Sequence, residues 1–191
     1  LPHRDIPSCA TWPAPCATFQ GFTLGRGERT LPQRNPRTLV EFVGDSITLG
    51  ALSSRNSLTS YGWQTGERLG ADRTNIARSG ACLVDIPGTC FGIGANFRKQ
   101  TIAGTTDWDF SHYQADAVVI NLGTNDAGRG VSGPDFQAAY QTLLREVRTV
   151  YPRAHIFAFE TFRQRYVPET QAAVQAVNDP KVHWVATEGW L

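Results

Sequence analysis

The chain has 191 residues, of which 41% are hydrophobic and 18% are charged. This length suits one globular domain with a single buried core, and the composition excludes a disordered, collagen-like or coiled-coil chain. Lysine and arginine (18) nearly balance aspartate and glutamate (17), for a formal net charge of +1. Overall charge therefore predicts neither a nucleic-acid partner nor a membrane partner, and no apolar run approaches the roughly 20 residues of a membrane span.

The first 37 residues contain frequent prolines and show little periodicity. The prolines are Pro2, Pro7, Pro13, Pro15, Pro32 and Pro36. Such a stretch indicates a lead-in that follows the surface, or a linker from a preceding domain. We expect residues 1–37 to lie outside the main domain, which begins at about residue 38.

The first half of the main domain starts with a short β-branched run over residues 38–43, ending at Gly44. This run predicts a buried parallel strand. A helix is predicted at 60–69 and a second strand at 74–77. Residues 82–112 are rich in glycine and form the longest irregular stretch, a length that usually indicates a functional loop.

The second half repeats the alternation of strand and helix. Strands are predicted at 116–122, 155–159 and 182–185, and helices at 134–150 and 169–177. Alternating elements of this kind predict an α/β fold with a mostly parallel sheet.

The four cysteines form two close pairs, Cys9 with Cys16 and Cys82 with Cys90. The local pairings are the simplest of the three possible connectivities. Two disulfides would place the protein in an oxidising compartment, so we expect it to be secreted. Four buried free thiols are the alternative; zinc is disfavoured because neither pair has C-x-x-C spacing, and we predict no metal site.

Chemistry in α/β folds lies at the carboxyl ends of the strands. Gly44-Asp45-Ser46 follows the first predicted strand. A serine at this turn exposes its hydroxyl and its backbone N–H in the same space, as a nucleophile with an oxyanion donor requires. The alternative is a simple turn or helix N-cap, which these residue types also favour.

Two further motifs follow the next two strands. Gly80 would let a ligand oxygen approach a bare backbone N–H, and Asn125 offers an amide donor to the same oxygen. Each also fits a turn or a helix start when taken alone. Their order, each after a strand, points to one shared site with Ser46.

These three motifs resemble the SGNH (GDSL-type) hydrolase superfamily. The resemblance spans about residues 38–191 and implies a three-layer α/β/α flavodoxin-like fold with about five parallel strands. It also implies Ser46 as the nucleophile, with Gly80 and Asn125 as oxyanion residues. Hydrolysis of this kind needs neither a metal nor an organic cofactor.

Residues 40–48 (VEFVGDSIT) and 119–126 (VINLGTND) resemble family 2 carbohydrate esterases more closely. These enzymes remove acetyl groups from sugars and polysaccharides, so the resemblance implies an acetylated carbohydrate as substrate. They carry a small β-sandwich before the hydrolase domain. Residues 19–24 resemble the end of that sandwich.

The last block of the superfamily, Asp-x-x-His, has no match. The histidines are His3, His112, His155 and His183, and the last two lie inside predicted strands. Residues 187–191 instead resemble the segment that precedes the block. We therefore expect the chain as given to stop short of its catalytic Asp and His, which a separate or cleaved C-terminal segment would carry.

Tryptophan can stack on a sugar ring. Trp108 is the first candidate for substrate contact because it lies in the irregular stretch, and Trp190 is the next. A GDSL-type lipase or small-ester hydrolase, and a catalytically inactive carbohydrate-binding module, remain as alternatives. The polysaccharide and the oligomeric state do not follow from the sequence.

Overall fold

The chain folds into five parallel strands in the order β2-β1-β3-β4-β5, with helices on both faces of the sheet. A computed structural model describes residues 22–30, 38–100 and 105–190. The strands are β1 (Leu39–Gly44), β2 (Asp72–Ala77), β3 (Ala117–Asn121), β4 (His155–Phe159) and β5 (Val182–Val185). This arrangement confirms the predicted flavodoxin-like α/β fold.

Six α-helices lie between the strands in this part of the chain. They are α1 (Ser46–Leu49), α2 (Tyr61–Leu69), α3 (Ile93–Asn96), α4 (Thr124–Gly128), α5 (Gly133–Val150) and α6 (Val167–Val177). A 3₁₀ turn covers Asn56–Thr59. None of these helices is both long and apolar enough to cross a membrane.

The larger part of the core lies between one sheet face and α5. Alternate strand residues such as Val43, Ile120 and Ile156 are fully buried in one cluster with Tyr140 and Leu143 of α5. The helical spacing of the apolar residues in α5 forms the stripe that covers this face.

The opposite face is covered less evenly. Val40, Phe42 and Val119 are buried there beside Tyr61 of α2, whereas Phe157 and Phe159 of β4 are only partly buried. The sheet is therefore well covered over β1 and more open over β4 and β5.

The carboxylate of Glu41 is buried in the main core. It accepts hydrogen bonds from the hydroxyls of Tyr113 at 2.8 Å and Tyr151 at 3.0 Å. These bonds tie the loop before β3 and the end of α5 to the first half of β1. The irregular stretch 82–112 therefore ends at the edge of the sheet where the strands begin.

Residues 22–30, the described part of the predicted lead-in, contain no helix or strand and are exposed. The boundary at residue 38 stays a prediction. Cys9, Cys16 and His3 lie outside the described residues, and the Cys9–Cys16 pairing stays a prediction with them.

Candidate active site

Ser46 is the first residue of α1, directly after β1, and it is half-buried. Asp45 is the N-cap of this helix, and its Oδ1 accepts a hydrogen bond from the Ile47 N–H at 2.8 Å. The motif can therefore both cap the helix and supply a nucleophile, because the N-cap is Asp45 and not Ser46. No hydrogen bond to another described residue engages the Ser46 hydroxyl.

Gly44 allows α1 to fold back closely on the end of β1. A Cβ at this position would lie 1.9 Å from Thr48 Oγ1 and 2.8 Å from the Asn121 carbonyl oxygen. Thr48 Oγ1 is in turn hydrogen-bonded to the Tyr61 hydroxyl at 2.8 Å. Any larger residue at position 44 would push α1, and Ser46 with it, away from the sheet.

Gly80 lies in the turn after β2 with a φ of +75°, a conformation that favours glycine. The loop that follows is closed by a disulfide between Cys82 and Cys90, with a Cα–Cα distance of 5.9 Å. This bond confirms one of the two predicted cysteine pairings. Cys90 Sγ lies 3.1 Å from the Gly80 carbonyl oxygen, so the disulfide packs directly against this turn.

Asn125 connects the other two motifs. Its Nδ2 donates a hydrogen bond to the Ala81 carbonyl at 2.8 Å and a longer one to Asp45 Oδ2 at 3.4 Å. Ala81 follows Gly80, and Asp45 precedes Ser46. The structure therefore brings Ser46, Gly80 and Asn125 together at the carboxyl ends of β1, β2 and β3.

Asp126 holds the loop after Gly80. Its carboxylate accepts hydrogen bonds from the N–H groups of Leu83, at 2.9 and 3.1 Å, and Val84, at 3.0 Å. The sequence left the role of this residue open. The structure shows a buried clamp that attaches the disulfide-closed loop to α4.

Two buried carboxyl groups lie close to the nucleophile candidate. Burial raises the pKa of Asp45 from 3.8 to about 6; the Ile47 N–H lowers it and the nearby charge of Asp126 raises it. Burial also raises the pKa of Asp126, although the amides of Val84 and Leu83 act in the opposite direction. Burial therefore raises the pKa of both carboxyl groups above their ordinary values.

None of the three described histidines contacts Ser46. His155 begins β4 and is exposed, and its Nδ1 lies 3.0 Å from Nε2 of His183 in β5. His112 packs beside Trp108 in the loop before β3. No cluster of three or more potential metal ligands occurs within residues 22–30, 38–100 and 105–190.

Trp108 is not brought to the other three predicted residues. It packs against the rings of His112 and Tyr113, at centroid distances of 5.2 and 6.1 Å, and against the main core. Tyr113 bonds to Glu41, which lies three residues before Gly44, or about 10 Å along the strand. These contacts place Trp108 toward the edge where the strands begin.

Trp190 lies at the edge where the strands end. It is 55% exposed and packs against Phe159, the last residue of β4, and Phe162. Tyr61 contacts the same two rings, and its hydroxyl reaches α1. Tyr61 and Phe162 were missed by the sequence reading because nothing in their local sequence distinguishes them from core aromatics.

The fold and the three assembled motifs define a three-layer α/β protein of the SGNH type. Residues 42–189 match the model of the GDSL-like lipase/acylhydrolase family, and the chain belongs to this family.

Two curated relatives are esterases. The cellulase/esterase CelE of Acetivibrio thermocellus is 35% identical over 154 residues, covering 73% of this chain and 19% of that protein. An acetylxylan esterase/glucomannan deacetylase of Cellvibrio japonicus is 28% identical over 157 residues, covering 68% of this chain and 40% of that protein. The chain thus spans less than half of the length of either relative.

Solved structures agree with this assignment. A family two carbohydrate esterase from Clostridium thermocellum in complex with cellohexaose superposes with a TM-score of 0.70 at 31% identity, covering 87% of this chain and 58% of that one. A family two carbohydrate esterase from Cellvibrio japonicus superposes with a TM-score of 0.71 at 21% identity, covering 82% of this chain and 54% of that one, and supports the fold alone.

Proposed function

We propose that this protein is a serine esterase that removes acetyl groups from carbohydrate, with Ser46 as the nucleophile. The observation that carries the proposal is the Asn125 side chain. It donates to Asp45 and Ala81, the neighbours of Ser46 and Gly80, and so holds the ends of three strands together. The esterase relatives and the carbohydrate-bound neighbour support the substrate class.

In the proposed reaction, Ser46 Oγ attacks the acetyl carbonyl and forms an acyl-enzyme, which water then hydrolyses. The backbone N–H groups of Ser46 and Gly80 and the Asn125 amide donate to the oxyanion. The amide hydrogen that makes the 3.4 Å bond to Asp45 is the one released for this purpose, because it is the weaker of the two bonds.

A histidine is the proposed base, and family order places it after a segment like residues 187–190. That segment reaches the carboxyl edge of the sheet, because the Thr187 N–H donates to Glu160 Oε2 at 3.1 Å and its hydroxyl donates to the Glu160 carbonyl at 3.0 Å. A histidine and aspartate that follow such a segment would approach the site from this edge. They belong in a C-terminal segment, continuous with the domain or separate from it.

Carbohydrate binding without turnover is the second candidate function. It is favoured by the exposed Trp190 and the half-buried Phe162 at the carboxyl edge, which offer a surface for stacking a sugar ring. An extracellular location is part of the proposal and is supported by the Cys82–Cys90 disulfide.

The test is acetate release from acetylated xylan and from 4-nitrophenyl acetate by the wild type and Ser46→Ala. We expect the variant to lose at least about a thousandfold in kcat while its circular dichroism spectrum is unchanged. Ser111→Ala, an exposed serine in the loop before β3, is the control and should retain full activity.

Turnover retained in Ser46→Ala would remove Ser46 from the nucleophile role. A series of acyl chain lengths separates the esterase alternatives, since a preference for acetyl supports deacetylation and a preference for long chains supports a lipase. Binding to acetylated xylan with no acetate release by the wild type would favour the second candidate.

A further inference from the structure

A cavity of about 240 Å³ borders α4, the helix that carries Asn125. It is lined by Thr124, Ala127 and Gly128 of α4 and by Arg163 and Arg165 of the loop after β4. The three α4 residues are spaced i, i+3 and i+4, so they share one side of the helix. The Asn125 side chain leaves α4 in a different direction, toward Ala81 and Asp45.

The loop that carries the two arginines is held by its own hydrogen bonds. Buried Thr161 accepts from the Arg165 N–H at 2.7 Å through its hydroxyl, and from the Gln164 N–H at 2.7 Å through its carbonyl. Tyr166 donates to the Val131 carbonyl at 2.6 Å and stacks on Phe136. Gln164 and Tyr166 have φ values of 55° and 54°, a strained conformation that these contacts maintain.

The two guanidinium groups have no structural task in the described part of the chain. Neither donates a hydrogen bond, and neither takes part in the four ion pairs found there. Single exposed arginines are ordinary on protein surfaces. Arg163 and Arg165, however, line one cavity from a fixed loop, so their positive charges repel each other. An anion bound in the cavity would reduce this repulsion.

We propose that this cavity binds the carboxylate of a uronic acid residue in the polysaccharide whose acetyl group enters the Ser46 site. The inference rests on the proposed function and deepens it, because it makes the substrate an acidic acetylated polysaccharide. Guanidinium groups match carboxylates in planar, bidentate geometry. The volume suits one sugar residue, being smaller than the roughly 300–1,000 Å³ of pockets for drug-sized ligands.

The position of the cavity assigns the carboxylate to a neighbouring sugar. The Asn125 side chain and the cavity lie on different sides of α4, and an α-helix with its side chains is about 10 Å across. The acetylated sugar and the acidic sugar are therefore different residues of one chain. Phe162, next to Arg163 in sequence, packs against Trp190, so the same loop presents an aromatic surface and a cationic one.

The experiment measures binding and not turnover, in a Ser46→Ala background that leaves the polymer acetylated. Affinity electrophoresis compares acetylated glucuronoxylan with the same polymer after its carboxylates have been reduced to alcohols. We expect Arg163→Gln/Arg165→Gln to raise the Kd for the acidic polymer about five- to tenfold and to leave the Kd for the reduced polymer unchanged. Arg145→Gln/Arg153→Gln changes the net charge equally at exposed positions away from the cavity and should alter neither Kd.

Equal weakening on both polymers, no weakening on the acidic one, or no binding to either would overturn the inference. Acetate release by the wild type from 4-nitrophenyl acetate, which is too small to reach the cavity, is measured separately. If that activity is present and the arginine effect is absent, only the acidic-polymer inference fails. If the arginine effect is present and no acetate is released from any substrate, the inference of carboxylate binding holds and the proposed hydrolysis is wrong.

Discussion

Asp45 caps α1 beside the proposed nucleophile, and this position buries its carboxylate. The residue is 1% exposed, and its burial is the largest cause of a pKa near 6. In the unfolded chain the same group has a pKa of about 3.9. Asp45 therefore binds its proton more tightly in the folded chain than in the unfolded chain. This difference makes the folded state relatively more stable at low pH.

We expect the contribution of Asp45 to stability to be fully present below about pH 4 and to be lost as the pH rises through 6. The difference between the pKa values of the folded and the unfolded chain corresponds to about 3 kcal/mol of unfolding free energy. Urea unfolding of the wild type and Asp45→Asn at pH 4 and pH 7 should therefore show the variant gaining up to about 3 kcal/mol relative to the wild type at the higher pH.

The difference in unfolding free energy between the wild type and Asp45→Asn cancels the contributions of all other titrating groups. Glu188→Gln, at an exposed carboxylate outside the described ion pairs, serves as the matched control and should follow the wild type at both pH values. Parallel stabilities for wild type and Asp45→Asn would show that Asp45 ionises in the fold as easily as in the unfolded chain.

The loop after β2 is the element that carries the proposed oxyanion donor Gly80. It is fixed at three points: the Cys82–Cys90 disulfide, the Asp126 carboxylate on Leu83 and Val84, and Asn125 on Ala81. Each tether has an attachment within four residues of Gly80, at Ala81, Cys82, or Leu83 and Val84. Loss of one tether should therefore affect both the stability of the fold and the position of the Gly80 N–H.

We expect Cys82→Ala/Cys90→Ala to lower the free energy of unfolding by about 2.5 kcal/mol, the loop-entropy value for so short a loop. We also expect a lower kcat for 4-nitrophenyl acetate, because the Gly80 donor is less well placed. Urea titration and initial rates measure the two effects. A change in stability with kcat unaltered would mean that the disulfide stabilises the fold without positioning the oxyanion donor.

Element positions followed from the sequence where local signals agree. Strands β4 and β5 have the predicted bounds, because each is a short β-branched and aromatic run that follows a proline turn, at Pro152 and at Asp179-Pro180. Helix α6 begins at Val167, two residues before its predicted start. Pro168 is tolerated in a first helical turn, and the left-handed Tyr166 before it is held by a tertiary contact that local sequence does not encode.

The site residues also divide into those that the sequence could place and those that it could not. Ser46, Gly80 and Asn125 could be placed together because parallel strands end at one edge of a sheet, and this rule needs only the order of the elements. The position of Trp108 needed the path of the irregular stretch. That path is set by a distant contact, Tyr113 with Glu41, which is 72 residues away.

At the scale of the whole molecule, four separate segments supply one aromatic surface at the carboxyl edge. Tyr61 comes from α2, Phe159 from β4, Phe162 from the loop after it and Trp190 from the chain after β5. The surface is continuous with α1 through the Tyr61 hydroxyl and Thr48. Trp190 is its most exposed ring and is therefore the position where a sugar would stack.

We expect Trp190→Ala to lower kcat/KM on acetylated xylan about tenfold, the value of one lost stacking contact, and to change 4-nitrophenyl acetate hydrolysis less than about twofold. Trp108→Ala is the matched variant, since it removes the same side chain at the opposite edge. It should lower the free energy of unfolding by about 2 kcal/mol, because Trp108 is partly buried against the core, and should leave the ratio of the two activities unaltered. If Trp108→Ala instead lowers activity on acetylated xylan more than on 4-nitrophenyl acetate, and Trp190→Ala does not, the sugar contact lies at Trp108 in the irregular stretch.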